Sequence, residues 1–525
     1  MTIHRVAIVG AGAAGLSAAY ALSKHTDKFI VTVFEKEPVA GGMASSTDID
    51  PVIMALRTST TAFRAAPQLS PTRCVSFASS AFHLREISFG KGENFWTNVF
   101  PSPLTERHAA DIRKFGRVLK TVKLLEVVLA LLPVYALLHL FGLSKDFGER
   151  MVYPLTALFF GTGNQTPYVA SAILVTSLPP PHQPCFSNAV WGRNGLQGPS
   201  MRLFKYDERS LLASIPEMYA FQKLSDTYTA WQHKVEQPGN VTFLLGHVVT
   251  RLISRTKKRT VLEFRSPSNE LRTAEFESLI LATDADNALT ILGKRASWME
   301  RRVLGGVKYL YDLTVTHTDA DYMRKHYETE FKPELIASSA TGAERQRGQT
   351  DFRPLYYTYQ YPSALNKLEM SFDLTFYQPQ LSATLGQHHV YQTIFLDRDG
   401  SDKLWTKDGI RQDFVIGEKW WKQQSHRWQH YARVVPWMWT INGTRGTYYA
   451  GAWTVLNMHE IAIMSGFAAA YSLGADYPHL GDEESGVVVK VSYIFVLFAV
   501  TTIDTPRIRD QSPFILQNGL RKTKS

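Results

Sequence analysis

The first forty-odd residues constrain this chain more than any other stretch. Arg5–Val9 is a short apolar run that reads as a buried strand, and it feeds Gly10-Ala11-Gly12-Ala13-Ala14-Gly15. Leu16–Lys24 reads as a helix, and a second apolar run, Phe29–Phe34, ends in Glu35, 20 residues after Gly15. Strand, glycine turn, helix, strand and acid form the full context in which such a turn cradles a dinucleotide. Gly10 permits the tight turn, Gly12 lets backbone N–H groups approach a pyrophosphate, and Gly15 lets helix and strand pack closely. The helix N-terminus turns unpaired N–H groups and a positive dipole end toward the phosphates. Glu35 can accept both hydroxyls of an adenosine ribose. The competing reading is a glycine turn in another α/β fold. The complete context favours the dinucleotide.

With 525 residues, the chain is long enough for one oversized domain or two interleaved ones. Its 45% hydrophobic and 20% charged residues are those of an ordinary globular protein. The formal charge of +10 is mild for this length, and the positive residues are scattered except at Arg255-Thr256-Lys257-Lys258-Arg259. That cluster lies between two strand-like runs, so a solvated hairpin turn is expected there and no nucleic-acid partner. The two cysteines, Cys74 and Cys185, have no metal spacing and suit a reducing compartment. The first strand opens almost at once, which leaves no room for a signal peptide, so a cytoplasmic protein is expected.

Residues 51–90 show no sustained period, 176–200 is a similar interruption and 486–525 loses the pattern; the three read as insertions or as gene-model errors. Val122–Leu143 is nearly all apolar and long enough to span a bilayer, but it carries Lys123, Glu126, Pro133 and His139. The favoured reading is a buried helix pair broken at Pro133. The alternative is a peripheral or monotopic helix that enters one leaflet through Leu124–Leu143, beside a substrate entrance. Val491–Ile503 is apolar for only 13 residues and is too short to span. Between Tyr153 and Pro167 the glycines and prolines suggest a loop between helices, with a turn role for Asn164 and Gln165. Val241–Leu245, Val248–Ile253, Thr260–Phe264 and Ser278–Thr283 read as short strands. Lys308–Thr316, Leu355–Tyr361, Glu369–Phe376 and Val390–Phe395 read as an antiparallel sheet. Met370, Phe372, Leu374 and Phe376 share one face, expected to be core. His426 and His430 are spaced as on one helix face. With no third ligand beside them, they read as polar residues, not metal ligands.

Two further stretches carry a family resemblance. Glu35 is followed after five residues by Gly41-Gly42 and Met43, and near the other end Thr447–Trp453 and Met458–Gly466 repeat a strand, a glycine turn and a helix. This two-ended pattern resembles the flavin amine oxidase and phytoene desaturase superfamily. Within it, Lys308–Asp312, Trp420-Trp421 and Ser425–Trp428 look closest to predicted NAD/FAD-binding proteins related to the N-terminal part of plant cyclopropane fatty acid synthases. The superfamily also includes flavin-dependent fatty acid double-bond isomerases. The resemblance implies non-covalent FAD, since a tethering cysteine would have to precede the closing motif and none lies beyond Cys185. It implies that Gly10, Gly12, Ala13, Ala14 and Gly15 form the first cofactor loop. Glu35 and Lys36 would lie at the adenosine end, and Gly41, Gly42 and Met43 in the second loop. Val248 would offer a backbone amide to the adenine. Gly451, Trp453 and Glu460 would close the site. The chain departs from the family at Ala452, where an acid commonly follows the glycine. No catalytic side chain can be assigned by identity.

The expected fold is α/β, α+β overall. A Rossmann-like FAD-binding domain of the glutathione-reductase type is interleaved with a substrate domain of antiparallel sheet plus helices. Its segments would be 1–90, 205–300 and 441–480, with the substrate domain in 91–204 and 301–440 and a tail over 481–525. The expected function is an FAD-dependent oxidoreductase taking a hydride at flavin N5 from an apolar, lipid-like small molecule. Two alternatives stand beside it, an amine oxidase acting on a C–N bond and a non-catalytic FAD-binding relative. After residue 50 no second strand–glycine loop–helix unit is found for a nicotinamide nucleotide.

Overall fold

The computed structural model describes residues 3–43, 46–47, 56–57, 80–82, 86–125, 129, 131–175, 218–220, 223–377 and 389–476. Most of the interruption at 51–90, all of that at 176–200, both cysteines, Val491–Ile503 and the tail lie outside these residues.

The opening run folds as expected. Strand β1 (His4–Val9) leads into helix α1 (Ala13–Ser23) and strand β2 (Phe29–Glu35). Three distant segments complete their sheet, in the order Thr447–Tyr449, Ser278–Leu281, β1, β2, Val241–Leu245, with every pairing parallel. A central parallel strand is covered on both faces, which is why β1 is apolar without alternation. Val6 and Ile8 face α1, the helix Leu224–Glu236 and the closing helix His459–Ser472. Ala7 and Val9 face the other way, onto Phe264, Phe276 and Ala285.

On that second face lies a three-stranded antiparallel sheet, Val248–Arg255, Thr260–Arg265 and Leu271–Phe276. Its last strand is polar and partly exposed, so no hydrophobic period marks it in the sequence. The basic cluster does form the hairpin turn, with the Thr256 N–H on the Arg259 carbonyl at 2.7 Å. Arg255 departs from the solvated reading. Its guanidinium is buried against the Glu300 carboxylate at 2.7 Å.

The other large element is a seven-stranded sheet in the order Val415–Gln424, Tyr309–His317, Tyr391–Phe395, Ala364–Asp373, Tyr356–Tyr361, Ile87–Phe89, Trp96–Thr97. Its pairings are antiparallel except that of Ile87–Phe89 with Tyr356–Thr358. Ile87–Phe89 therefore belongs to this sheet and not to the parallel one. The expected strand over Glu369–Phe376 stops at Asp373. Asp373 Oδ1 accepts the N–H groups of Thr375 at 3.0 Å and Phe376 at 3.4 Å, which turns the chain into a short helix at Leu374–Tyr377. Leu374 and Phe376 thus leave the strand alternation, though Met370, Phe372 and Leu374 remain core.

These side chains pack against helices from the segment 104–174. Ala109–Leu124 and Val134–Leu140 are separate helices, and Pro133 stands at the N-cap of the second. Pro133 marks the start of the second helix, but the first already ends at Leu124. Val134, Leu137 and Leu138 are buried, while Leu124 is 83% exposed. Among the described residues no helix is long and apolar enough to cross a membrane.

Candidate functional site

At the carboxyl ends of β1 and β2 the chain builds a cradle out of backbone. Gly10 has φ +104° and a Cβ there would overlap the Ala282 carbonyl, so the turn accepts only glycine. A Cβ at Gly15 would overlap the Gly10 carbonyl oxygen, which is how closely helix and strand meet. Gly12 is different. Its φ is −77°, and a Cβ there would find only the Cα of Gly42 within 4 Å, at 3.7 Å. The space in front of Gly12 is thus left open by this chain. The Gly41 N–H donates to the Ala11 carbonyl at 2.9 Å, fixing the second glycine loop against the first. Ala13 and Ala14 open α1, where helix geometry leaves the first N–H groups without intrahelical partners.

Glu35 is 6% exposed, and its carboxylate is held from two sides. Oε2 accepts the Ala11 N–H at 2.7 Å and Oε1 the Glu37 N–H at 3.0 Å. A carboxylate offers about four acceptor positions. Lone pairs therefore remain for a diol. The backbone N–H groups of Gly246 and His247 donate to the carbonyls of Glu37 and Glu35 at 3.0 and 2.8 Å, which brings Val248 beside this end of β2. Lys36 and Met43 are exposed, and the Lys36 ammonium pairs with Glu37 at 3.1 Å.

The far-off closing stretch reaches the same place. The Ala450 N–H donates to the Leu281 carbonyl at 3.0 Å, and the Gly451 N–H to Ser465 Oγ at 2.8 Å. A Cβ at Gly466 would overlap the Ala14 carbonyl, so the closing helix is pressed onto the first turn of α1. Glu460 lies in the first turn of that helix, and burial raises its carboxyl pKa. Its neighbour His459 bonds the Tyr228 hydroxyl, and burial pushes its pKa down to about 3. Trp453 is only 2% exposed, and its indole N–H donates to the Thr283 carbonyl at 3.0 Å. It packs in the core beneath the parallel sheet.

Sequence reasoning missed the link between the two sheets. Lys422 Nζ reaches Asp286 at 2.6 Å and Asp284 at 3.2 Å, and the Ala285 N–H donates to the Tyr309 hydroxyl at 2.7 Å. Burial raises the pKa of Asp284, against the lowering effect of Lys422. The turn role of Asn164 and Gln165 proves to be a tie between elements. Asn164 bonds Leu396, Ser401 and Leu368 at 2.8–3.0 Å, and Gln165 Oε1 accepts Ser425 Oγ and the His426 N–H at 2.7 and 2.9 Å. His426 and His430, read as residues of a helix face, are 0% and 3% exposed. The helix begins only at Trp428, so His426 lies outside it and the two do not share a helix face, and His430 is the one buried residue of Trp428–Arg433.

Residues 8–71 match the family model for an NAD(P)-binding Rossmann-like domain. No curated protein matches the chain in sequence. Solved structures match over nearly its whole length. A cyclohexylamine oxidase from Brevibacterium oxydans IH-35A aligns with a TM-score of 0.56 and 10% identity, covering 90% of this chain and 100% of that one. A fatty acid isomerase from P. acnes, producing CLA, aligns at 0.52 and 14%, covering 89% and 98%. A putrescine oxidase variant with redesigned cofactor binding aligns at 0.54 and 12%, covering 90% and 98%. The chain shares the fold of these three proteins. The backbone cradle, the anchored Glu35 and the pressed closing helix are what a dinucleotide requires of its site.

Proposed function

We propose that this chain binds FAD non-covalently and oxidises, desaturates or isomerises an apolar, lipid-like substrate. The carrying observation is the two-ended cradle, in which the open space at Gly12 and the free lone pairs of Glu35 meet a helix clamped on by Gly466. The first turn of α1 would bind the pyrophosphate, Glu35 the ribose, and the Val248 backbone the adenine. Bound FAD would supply a hydride acceptor at N5. The chain itself binds, orients and excludes water. An apolar substrate is supported by the aromatic strand Tyr356–Tyr361 of the seven-stranded sheet and the apolar Leu124–Leu143 segment.

An amine oxidase is the second reading, supported by the fold shared with the cyclohexylamine and putrescine oxidases. The visible spectrum of purified protein supplied with FAD, mixed without oxygen with methyl linoleate and separately with cyclohexylamine, tests both. Bleaching, or product with a moved double bond, from methyl linoleate alone is expected. Bleaching by the amine alone would replace the first reading with the second. A protein that takes up no FAD would sink both.

Peripheral membrane contact through Leu124–Leu143 is supported by the exposure of Leu124, Leu125, Leu131, Tyr135 and Leu140 on the same segment. Flotation with phosphatidylcholine vesicles should fall on Leu124→Glu with Leu140→Glu. Equal flotation of variant and wild type would remove the contact.

A further inference from the structure

Residues 424–430 hold buried polar atoms that the fold does not use. The Gln424 side-chain nitrogen, His426 Nε2 and the Gln429 side-chain oxygen are buried with no hydrogen-bond partner among the described residues. Native proteins leave few such atoms, and each points to a missing partner. The segment itself is firmly fixed. Ser425 and the His426 backbone are both tied to Gln165, and the Tyr431 hydroxyl lies 3.4 Å from His426 Nδ1. With that hydroxyl donating, Nδ1 accepts and Nε2 carries the hydrogen. His426 therefore presents a buried N–H donor, Gln424 a second, and Gln429 an acceptor.

The location gives these groups a meaning. His430 faces the backbone of Trp453 and Val455 in the closing turn, and Asn457 Nδ2 reaches Gln423 Oε1 at 3.3 Å. The segment thus lies against the turn that leads into the closing helix. We propose that Gln424, His426 and Gln429 form the polar end of the substrate site, where His426 donates a hydrogen bond to an uncharged oxygen of an otherwise apolar molecule. This rests on the reading of the closing turn as one wall of the cofactor cleft.

Charge selects the class of ligand. Burial pushes the His426 and His430 pKa values down to about 3 and about 4, so both rings are neutral at neutral pH. The cations nearest in sequence are engaged elsewhere. Lys422 is tied to Asp284 and Asp286, and Arg427 lies exposed over the Tyr168 ring. A carboxylate here would be a buried charge without a counterion, and an ammonium would meet donors where it needs acceptors. A primary amide or an alcohol, which both accepts and donates, suits two neutral donors and one acceptor.

The test uses the full chain supplied with FAD and three ten-carbon probes, decanamide, decanoate and decylamine. Binding is read by the flavin spectrum and independently by tryptophan fluorescence, with the His426 ring followed by nitrogen NMR. Decanamide is expected to bind tightest and to shift the His426 Nε2 resonance. His426→Leu should weaken decanamide about tenfold, the worth of one buried hydrogen bond, with FAD content unchanged. His426→Gln, which keeps a donor, should restore part of it and guards against a folding artefact. Decanoate or decylamine binding as tightly as decanamide would overturn the proposal. So would decanamide binding that ignores both substitutions, or an Nε2 signal that no probe moves. If the protein takes up no FAD, the cofactor reading fails, while fluorescence and NMR still decide whether these residues hold an uncharged oxygen.

Discussion

At the scale of single residues, Gly12 and Gly15 separate binding from folding. A side chain at Gly12 meets no described atom but the Gly42 Cα within 4 Å, so Gly12→Val should fold normally and lose FAD. Gel filtration of the variant after FAD addition checks this; full yellow colour in the protein peak would contradict the cradle. Gly15→Ala, by contrast, should fail to fold well, because its Cβ overlaps the Gly10 carbonyl. Glu35→Ala should do both, since the carboxylate also anchors the N–H groups of Ala11 and Glu37. Hydrogen bonds to a charged group are worth about 1.5–3 kcal/mol, and thermal unfolding should report a loss of that order. The fingerprint residues were legible in the sequence because their geometry is local, a turn and a helix start within a few positions. Arg255 was not legible, because its partner Glu300 is fixed by a capping box at Ser297 in a different element. Burial raises the Glu300 pKa, but hydrogen bonds from Arg255, Tyr449 and Ser297 outweigh burial and hold it at about 2. A depressed carboxyl pKa gives stability above the unfolded value near 4.5 that is lost as pH falls toward 2. The shift corresponds to roughly 3 kcal/mol. Glu300→Gln should therefore be less stable than wild type at neutral pH, and the gap should narrow below about pH 4. An unchanged gap across that range would mean that the pair carries no acid sensitivity.

At the scale of elements, the closing helix depends on a small residue. Gly466 lets His459–Ser472 lie on the Ala14 carbonyl, and that contact joins the C-terminal motif to the first turn of α1. Gly466→Ala should push the helix off, cost about 1–3 kcal/mol as overpacking does, and weaken FAD binding along with thermal stability. Loss of stability with FAD affinity unchanged would show that the closing helix does not shape the cofactor site. The strands that periodicity revealed were those with one apolar face. Two were missed for the same physical reason. Leu271–Phe276 and Val415–Gln424 are edge strands with charged, partly solvated faces, so alternation cannot mark them. The second of these matters most, because it carries Lys422 into the link with Asp284 and Asp286 and ends at the buried polar segment. Val122–Leu143 reads as a buried helix pair broken at Pro133, and only part of that reading holds. Pro133 does open the second helix, but the first ends at Leu124, and Leu124, Leu125, Leu131, Tyr135 and Leu140 are exposed.

At the scale of the molecule, the parallel sheet draws strands from residues 4–35, 241–245, 278–281 and 447–449, with the seven-stranded sheet threaded between them. Such interleaving leaves no local trace, and only the matching glycine motifs near the two ends announced it. The same arrangement bears on how a reduced flavin would be reset. A nicotinamide nucleotide commonly needs a second glycine loop that opens a helix toward its phosphates. The two other candidate glycine pairs do the reverse. Gly161 adopts φ +61° and ends the helix Tyr153–Phe160, after which the chain enters a tight turn at Gly163–Tyr168. Gly305 and Gly306 follow the end of the helix Trp298–Leu304 and lead to the strand Tyr309–His317. Helix C-termini present carbonyls and the negative dipole end, which repel phosphate. Among the described residues, then, neither of these pairs opens a helix as the loop at Gly10–Gly15 does. The hydride should leave to oxygen, to another acceptor or back to the substrate, which favours an oxidase, a desaturase-like dehydrogenase or an isomerase over a reductase. Rapid mixing of the FAD-loaded protein with NADH and with NADPH, in the absence of oxygen, should leave the flavin absorbance unchanged. Fast bleaching at micromolar nucleotide would mean that the chain holds a nicotinamide site built by other means, and the reaction class would have to be drawn again from a reductase.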